Sequence, residues 1–454
     1  TATYLACARI GAVINPLMPI FREHELRFML GFAETKLFIV PRRFRNFDHE
    51  SMAKGLQKEL PELRHVVVVE GEGRDSFEAL LSGPEWEKEP DASAILANRP
   101  NGDDITQLIY TSGTTGHPKG VMHSSNTHTA AIIPYMERLQ LGPDDVILMA
   151  SPMAHQTGFY YGLVMPILLH AHAVLLDIWQ PDKALDIIRA EHVTFTMAST
   201  PFLSDLTREV AKTGKTVPTL RYFLCGGAPV PGALVKEARK TLGVKILSGW
   251  GMSENGVVTT TMPDDDDERP INTDGKPLPG SELKIVDAQG HTLPTGTEGR
   301  LLVRTCGNFA GYLKSPHLNG MDEEGWFDTG DLARMDEQGY IRITGRSKDV
   351  IIRGGENIPV VEVEELLYQM PAIQYAAVVS YPDDRLGERC CAVVVLKPGH
   401  SLTLADIVSF MKEKQVAMQY IPERLEIMDA MPTTPSGKIQ KFKLRDQLKE
   451  LGRL

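Results

Sequence analysis

Thr111-Ser-Gly-Thr-Thr-Gly-His-Pro-Lys-Gly120 follows the apolar run Leu108-Ile109-Tyr110. The run reads as a strand, and the segment after it as a turn crowded with small donors and closed by Lys119. Backbone N–H groups and hydroxyls from Thr111, Ser112, Gly113, Thr114, Thr115 and Gly116 suit the phosphates of a nucleotide. A Walker A loop needs Gly-x4-Gly-Lys-Ser/Thr. Here His117-Pro118 precedes the lysine and Gly120 follows it. A triphosphate is implied, held otherwise than in a P-loop NTPase. A plain surface turn is the competing reading of this loop taken alone.

Working outward from that loop, strand-like runs at 37–40, 66–69, 146–150, 174–177, 193–198, 222–225 and 245–248 alternate with helix-length segments such as 183–191. The alternation predicts an α/β fold of mixed layered sheets. From Leu283 onward short strands at 283–287, 300–304 and 341–344 predict a β-rich subdomain. After Gly345, Val363, Leu366, Leu367 and Met370 share one helix face, and 376–380 and 392–396 read as strands. Leu404, Ile407, Val408 and Met411 form another amphipathic helix, with Thr403 as N-cap. This part reads as a small α+β module of about a hundred residues. At the other end, residues 4–11 read as the end of an amphipathic helix and 12–16 as a strand. With no initiating Met and no N-cap signal, the sequence is expected to open inside a domain.

The chain has 454 residues, which favours two or three domains over one core. Its 42% hydrophobic and 24% charged composition is that of an ordinary soluble enzyme. The net charge of −11 disfavours a nucleic-acid partner. Five cysteines (Cys7, Cys225, Cys306, Cys390 and Cys391) show neither metal spacing nor a disulfide framework, which suits a reducing cytoplasm. No apolar run reaches membrane-spanning length. The acidic run 264–267 reads as a solvated loop.

Four further segments carry chemistry. Gly249-Trp-Gly-Met-Ser-Glu254 follows a strand and is expected to form a ligand-binding loop at its C-terminal end, or a plain loop with a half-buried Trp. There Trp250 could cover a base, Ser253 bond a phosphate, and Glu254 hold Mg²⁺, which prefers one or two carboxylates plus phosphate oxygens. Cys225-Gly-Gly-Ala-Pro229 lets backbone approach a flat ligand at Gly227, Ala228 and Pro229, or is a tight structural turn. Trp326-Phe-Asp-Thr-Gly-Asp331 puts Asp331 in a turn, suited to ribose hydroxyls or simply to solvent. Arg346 could reach the same ribose, a phosphate, or an interdomain carboxylate. In Pro435-Ser-Gly-Lys-Ile-Gln-Lys441, Lys438 sits on a Gly-flanked turn where its charge could stabilise reacting oxygens, or is simply one basic residue of a Lys-rich tail.

Taken together, these segments resemble the adenylate-forming superfamily of acyl-CoA synthetases, luciferases and peptide-synthetase adenylation domains. Order and spacing match over essentially the whole chain. Residues 111–120 resemble the phosphate loop, and 249–254 the aromatic-Gly-x-Thr-Glu motif with Ser253 for Thr. Residues 326–331 resemble the ribose motif, 345–358 the hinge block and 435–438 the catalytic-lysine block. The chain looks most like bacterial short- and medium-chain or cyclohexanecarboxylate-type acyl-CoA ligases.

The resemblance implies a large N-terminal domain, 1–345, and a small mobile C-terminal domain, 346–454, with the hinge at Lys348. It implies ATP, Mg²⁺ and coenzyme A as cosubstrates and cofactor, with Glu254 on the metal. Lys119, Gly249, Trp250, Gly251, Met252, Ser253, Asp331, Ile343 and Arg346 fall at nucleotide-binding positions, and Lys438 at the catalytic one. Gly354 and Gly355 fall at the pantetheine tunnel. His155 falls at the gate between acid and thiol, and Phe159 and Trp250 at the acyl pocket. Residues 152–159 lack the aspartate that binds an amino-acid ammonium, which disfavours a free α-amino acid. The implied reaction joins a short, medium-chain or cyclic acid to CoA through an acyl-AMP. Loading of a carrier protein, or a nucleotide-binding fragment without catalysis, are the alternatives. Monomer and homodimer are both open.

Overall fold

The computed structural model describes residues 1–83, 88, 92–111, 118–227, 230–346, 351–353, 356–383, 386–414, 416, 418–434 and 437–450. The chain divides into two compact units, one of 1–128 with 309–319, the other of 129–308 with 320–454.

In the first unit the expected strands at 37–40 and 66–69 form as Leu37–Pro41 and His65–Val69, paired in parallel. The helix Glu23–Phe32 packs Leu26 and Leu30 with Val40, Leu56 and Val68 into one core. The strand before the phosphate loop is Ile105–Thr111, antiparallel to Lys119–Ser124, with Thr111 opposite Lys119. Gly311–Tyr312 adds a third strand beside Lys119–Ser124. The helix expected at 4–11 is Ala2–Ile10. The strand expected at 12–16 does not form. Ile14 makes one isolated bridge to Gln107, and Pro16, lacking an N–H, cannot extend a ladder.

The second unit is built on a seven-stranded sheet. Its parallel part runs Lys245–Met252, Tyr222–Gly226, Phe195–Ala198, Val146–Met149 and His172–Leu175. Gly256–Thr260 and Lys276–Pro277 are added antiparallel. Helices Pro181–Ala190, Thr200–Thr213 and Gly232–Leu242 bury Leu185, Leu206 and Val235 against Phe223, Cys225 and Ile246. The alternating strand positions 223 and 225 face the helices because side chains repeat every second residue. The strand expected at 174–177 is shifted to His172–Leu175.

The β-rich part is a four-stranded antiparallel sheet, Ser281–Val286, Gly299–Thr305, Phe327–Met335 and Ile341–Arg346. Asp331, expected in a turn, is in strand together with residues 327–330. Their burial alternates along it, which the polar Asp-Thr-Gly letters conceal.

In the α+β part, Ile373–Asp383 and Gly387–Leu396 pair antiparallel, and Arg424–Ile427 joins the latter in parallel. One face packs Val378, Cys390 and Val394 under helices Val360–Tyr368 and Leu404–Glu413. The other packs Val379, Cys391 and Val393 under the helix Lys441–Glu450. Adjacent cysteines thus point to opposite faces as free buried thiols, and burial pushes the Cys391 thiol up to about 12. Thr403 caps its helix, accepting from the Asp406 N–H at 3.2 Å while the Asp406 carboxylate accepts from the Thr403 N–H at 2.8 Å. No helix among the described residues is long and apolar enough to cross a membrane.

Candidate active site

Gly249-Trp-Gly-Met252, expected as a loop, continues the strand Lys245–Met252 and bulges between Trp250 and Gly251. The bulge re-aims the side chains that follow it. The Trp250 ring packs among Val258, Ile285, Leu301 and Ala333, with Ile343 at the edge of the same cluster. Its indole N–H donates to Asp331 Oδ2 at 2.8 Å. Asp331 is buried on the strand Phe327–Met335, in register with Arg346, whose Nε donates to Asp331 Oδ1 at 2.9 Å. An indole and a guanidinium therefore fix the plane of this carboxylate. An ionised carboxylate accepts about four bonds, so its remaining lone pairs can still take hydroxyl donors. The Ile343 N–H donates to Asp274 Oδ2 at 2.8 Å. Burial pushes the Asp274 carboxyl up, opposed by Arg342 and by that N–H, and reinforced by Asp331.

Lys438 closes a short turn. Its N–H donates to Thr434 Oγ1 at 3.0 Å, and its carbonyl accepts from the Thr434 N–H at 2.8 Å. The lysine stem runs past Gly227. A Cβ there would lie 3.5 Å from Lys438 Cε, and the φ of +80° also suits glycine. Burial lowers the Lys438 ammonium to about 8; Arg346 pushes the same way, while Asp331 and Glu254 oppose. Glu254 is itself 6% exposed. His155 feels the same charge. Burial, then Lys438, pull its imidazole down to about 3, so it is neutral at physiological pH. The Thr157 N–H donates weakly to His155 Nδ1 at 3.3 Å, which leaves the ring proton on Nε2.

Beyond His155 the chain forms a π-helix, Gly158–Val164, an element often found at functional sites. Phe159, Tyr160 and Tyr161 are fully buried along it. The Tyr161 hydroxyl accepts from the Val257 N–H at 2.8 Å, tying this aromatic wall to the strand after Glu254.

Lys438, Glu254, Asp331, Arg346, His155, Trp250 and Gly227 are thus gathered in one place, with Ile343 beside them. Lys119 lies in the first unit, its Nζ 4.4 Å from the Tyr312 ring centroid. Ser112, Gly113, Thr114, Thr115, Gly116, Ala228, Pro229, Lys348, Gly354 and Gly355 lie outside the described residues. Sequence reading missed Asp274 and Tyr161. Neither stands in a motif, and each acts through a backbone N–H distant in sequence. Among the described residues no group of three or more His, Cys, Asp or Glu side chains could cage a metal. The buried carboxylate of Glu254 fits Mg²⁺, which takes its other ligands from phosphates and water.

Two family descriptions match the chain: AMP-binding enzyme over residues 1–313, and AMP-binding enzyme C-terminal domain over 362–438. The sequence is 42% identical over 451 residues to the medium-chain fatty-acid–CoA ligase of Escherichia coli, covering 99% of this chain and 79% of that one. It is 33% identical to a salicylyl-CoA synthase/salicylate adenylyltransferase of a Streptomyces species, covering 97% and 81%. Among solved structures it resembles ATP-bound MatB of Rhodopseudomonas palustris. The TM-score is 0.85 and the identity 27%, over 99% of this chain and 86% of that one.

Proposed function

The chain belongs to the AMP-binding enzyme family, and on that premise we propose that it converts a short, medium-chain or cyclic carboxylic acid to its CoA thioester through an acyl-adenylate. The observation that carries the reading is the Lys438 ammonium enclosed with Asp331, Arg346, Glu254 and the neutral His155.

In the first step a carboxylate oxygen attacks the α-phosphorus of ATP. A phosphorus–oxygen bond forms to the acid, the bond to the β-phosphate breaks, and pyrophosphate leaves. Two anions must approach, and Lys438 supplies a positive charge between them in a site shielded from water. Asp331, held by Trp250 and Arg346, orients the ribose; Lys119 and the loop 111–120 hold the leaving pyrophosphate. Glu254 would hold Mg²⁺, which when bound screens phosphate charge. In the second step the CoA sulfur attacks the acyl carbon, the carbon–oxygen bond to AMP breaks, and the thiol proton passes to solvent. Neutral His155 stands at the acid–thiol gate without adding a second cation beside Lys438.

The same reading divides the chain at 345/346 and turns the C-terminal domain about Lys348, replacing Lys438 by Gly354 and Gly355. The aromatic wall of Phe159 and Tyr160, without a nearby aspartate in 152–159, supports an apolar acid. Five free thiols support a cytoplasmic location.

The test is ATP–pyrophosphate exchange across linear, cyclic and aromatic acids, followed by CoA addition. Acyl-CoA is expected with an apolar acid. Exchange without acyl-CoA, but with transfer to a holo-carrier, would make the protein a carrier-loading enzyme; no exchange with any acid would overturn adenylation. Lys438→Ala should lose most acyl-AMP formation, about 10²-fold or more, yet retain thioester formation from supplied acyl-AMP.

A further inference from the structure

Lys441 stands three residues beyond Lys438 and opens the helix Lys441–Glu450. Its Nζ lies 2.8 Å from Glu364 Oε1. That oxygen also accepts the Val378 N–H at 2.7 Å. Glu364 is 5% exposed, on the inner face of the helix Val360–Tyr368. A lysine in the first turn of a helix opposes the helix dipole, so helix stability alone would not select it. A buried carboxylate is costly without a partner, so the pair is mutually dependent. Nothing in the two-step chemistry uses either residue.

The backbone explains what the pair can do. The segment carrying Lys438 is a closed hairpin. Thr433 bridges Ile439, and the Gln440 N–H donates to the Pro432 carbonyl at 2.8 Å. Ile439 packs with Leu444 and Val393, so the hairpin's exit is seated on the sheet. A closed hairpin moves as a body, and the Lys441–Glu364 pair fixes its exit to a different helix. That helix also faces the sheet bearing Asp331 and Arg346, where its Glu362 and Glu365 pair with Arg334 and Arg342. One rigid element therefore connects the ribose carboxylate to the lysine turn.

We propose that Lys441, through Glu364, is a positioning residue that aims Lys438 for the adenylation half-reaction. The inference rests on the adenylation role given to Lys438 above. A misplacement of about 1 Å at a reacting group costs roughly 10²-fold, which sets the scale of the effect.

Lys441→Met keeps the aliphatic stem and removes the charge. ATP–pyrophosphate exchange should fall about ten- to a hundredfold in kcat with little change in KM for ATP. Thioester formation from supplied acyl-AMP should stay within about twofold, because that step does not use Lys438. Lys441→Arg should retain most of the exchange, and Glu364→Gln, which keeps an acceptor, should show a weaker form of the same split. Equal loss of both half-reactions in both Lys441→Met and Glu364→Gln would mean a general defect of the C-terminal module and would overturn the proposal. So would undiminished exchange in both. Lys438→Ala is measured alongside. If it leaves exchange intact, the reading of Lys438 fails first; if it abolishes exchange while Lys441→Met does not, only the present inference fails.

Discussion

Lys438 carries its consequence in its protonation. Burial depresses its pKa from 10.5 to about 8, so the free enzyme holds the ammonium below that value and loses it as the pH rises through it. The profile of kcat/KM for acyl-AMP formation reports the free enzyme. It is expected to fall on the basic side near 8, whereas thioester formation from supplied acyl-AMP should lack that limb. Glu254 stabilises the ammonium, so Glu254→Gln should move the basic limb to lower pH. An unmoved limb, or one shared by both half-reactions, would assign it to another group. The turn that carries Lys438 was legible in the sequence, because Pro435-Ser-Gly437 just before it is turn punctuation. Its environment was not. Glu254 comes from the turn after the strand Lys245–Met252, and Asp331 and Arg346 from two further strands, all far upstream, and no local pattern of letters states that they converge.

The strand Lys245–Met252 shows why element boundaries resist reading. Gly249-Trp-Gly looks like the end of a strand because glycines break the apolar run, yet the ladder continues through a bulge to pair Met252 with Gly256. What requires glycine at 251 is proximity: a Cβ there would sit 1.9 Å from the Gly256 carbonyl oxygen. Gly251→Ala must open the hairpin, displace Trp250 and loosen its bond to Asp331. A loss of about 1–3 kcal/mol in urea unfolding, with a raised KM for ATP, is expected. Gly142→Ala, with nothing within 4 Å, should stay within about 0.5 kcal/mol. Equal stability of the two variants would show that the bulge relaxes freely. The parallel strands were legible because buried β-runs are continuous and apolar. Residues 327–331 were not, since their inward positions are Phe327, Thr329 and Asp331, two of them polar.

Across the larger unit, the helix Val360–Tyr368 carries glutamates on opposed duties. Glu364 turns inward to Lys441, while Glu362 and Glu365 pair with Arg334 and Arg342 on the four-stranded sheet. If the C-terminal domain turns about residue 348 between half-reactions, the two outward pairs must break at every turnover and the inward pair must not. The outward pairs then favour the arrangement with Lys438 in place. Arg342 also lies 3.7 Å from Asp274, so the glutamates are the cleaner sites to change. Glu362→Arg with Glu365→Arg should slow acyl-AMP formation about two- to tenfold, the range of two partly exposed ion pairs. Thioester formation from supplied acyl-AMP should be unchanged or faster. Raising the salt should shrink the difference from the parent chain, because exposed charges are screened over about 8 Å at physiological ionic strength. Adding Arg334→Glu to Glu362→Arg should restore part of the lost rate by rebuilding one pair with its signs exchanged. A salt-independent loss shared by both half-reactions would place these pairs in the stability of the helix rather than in the balance between the two arrangements.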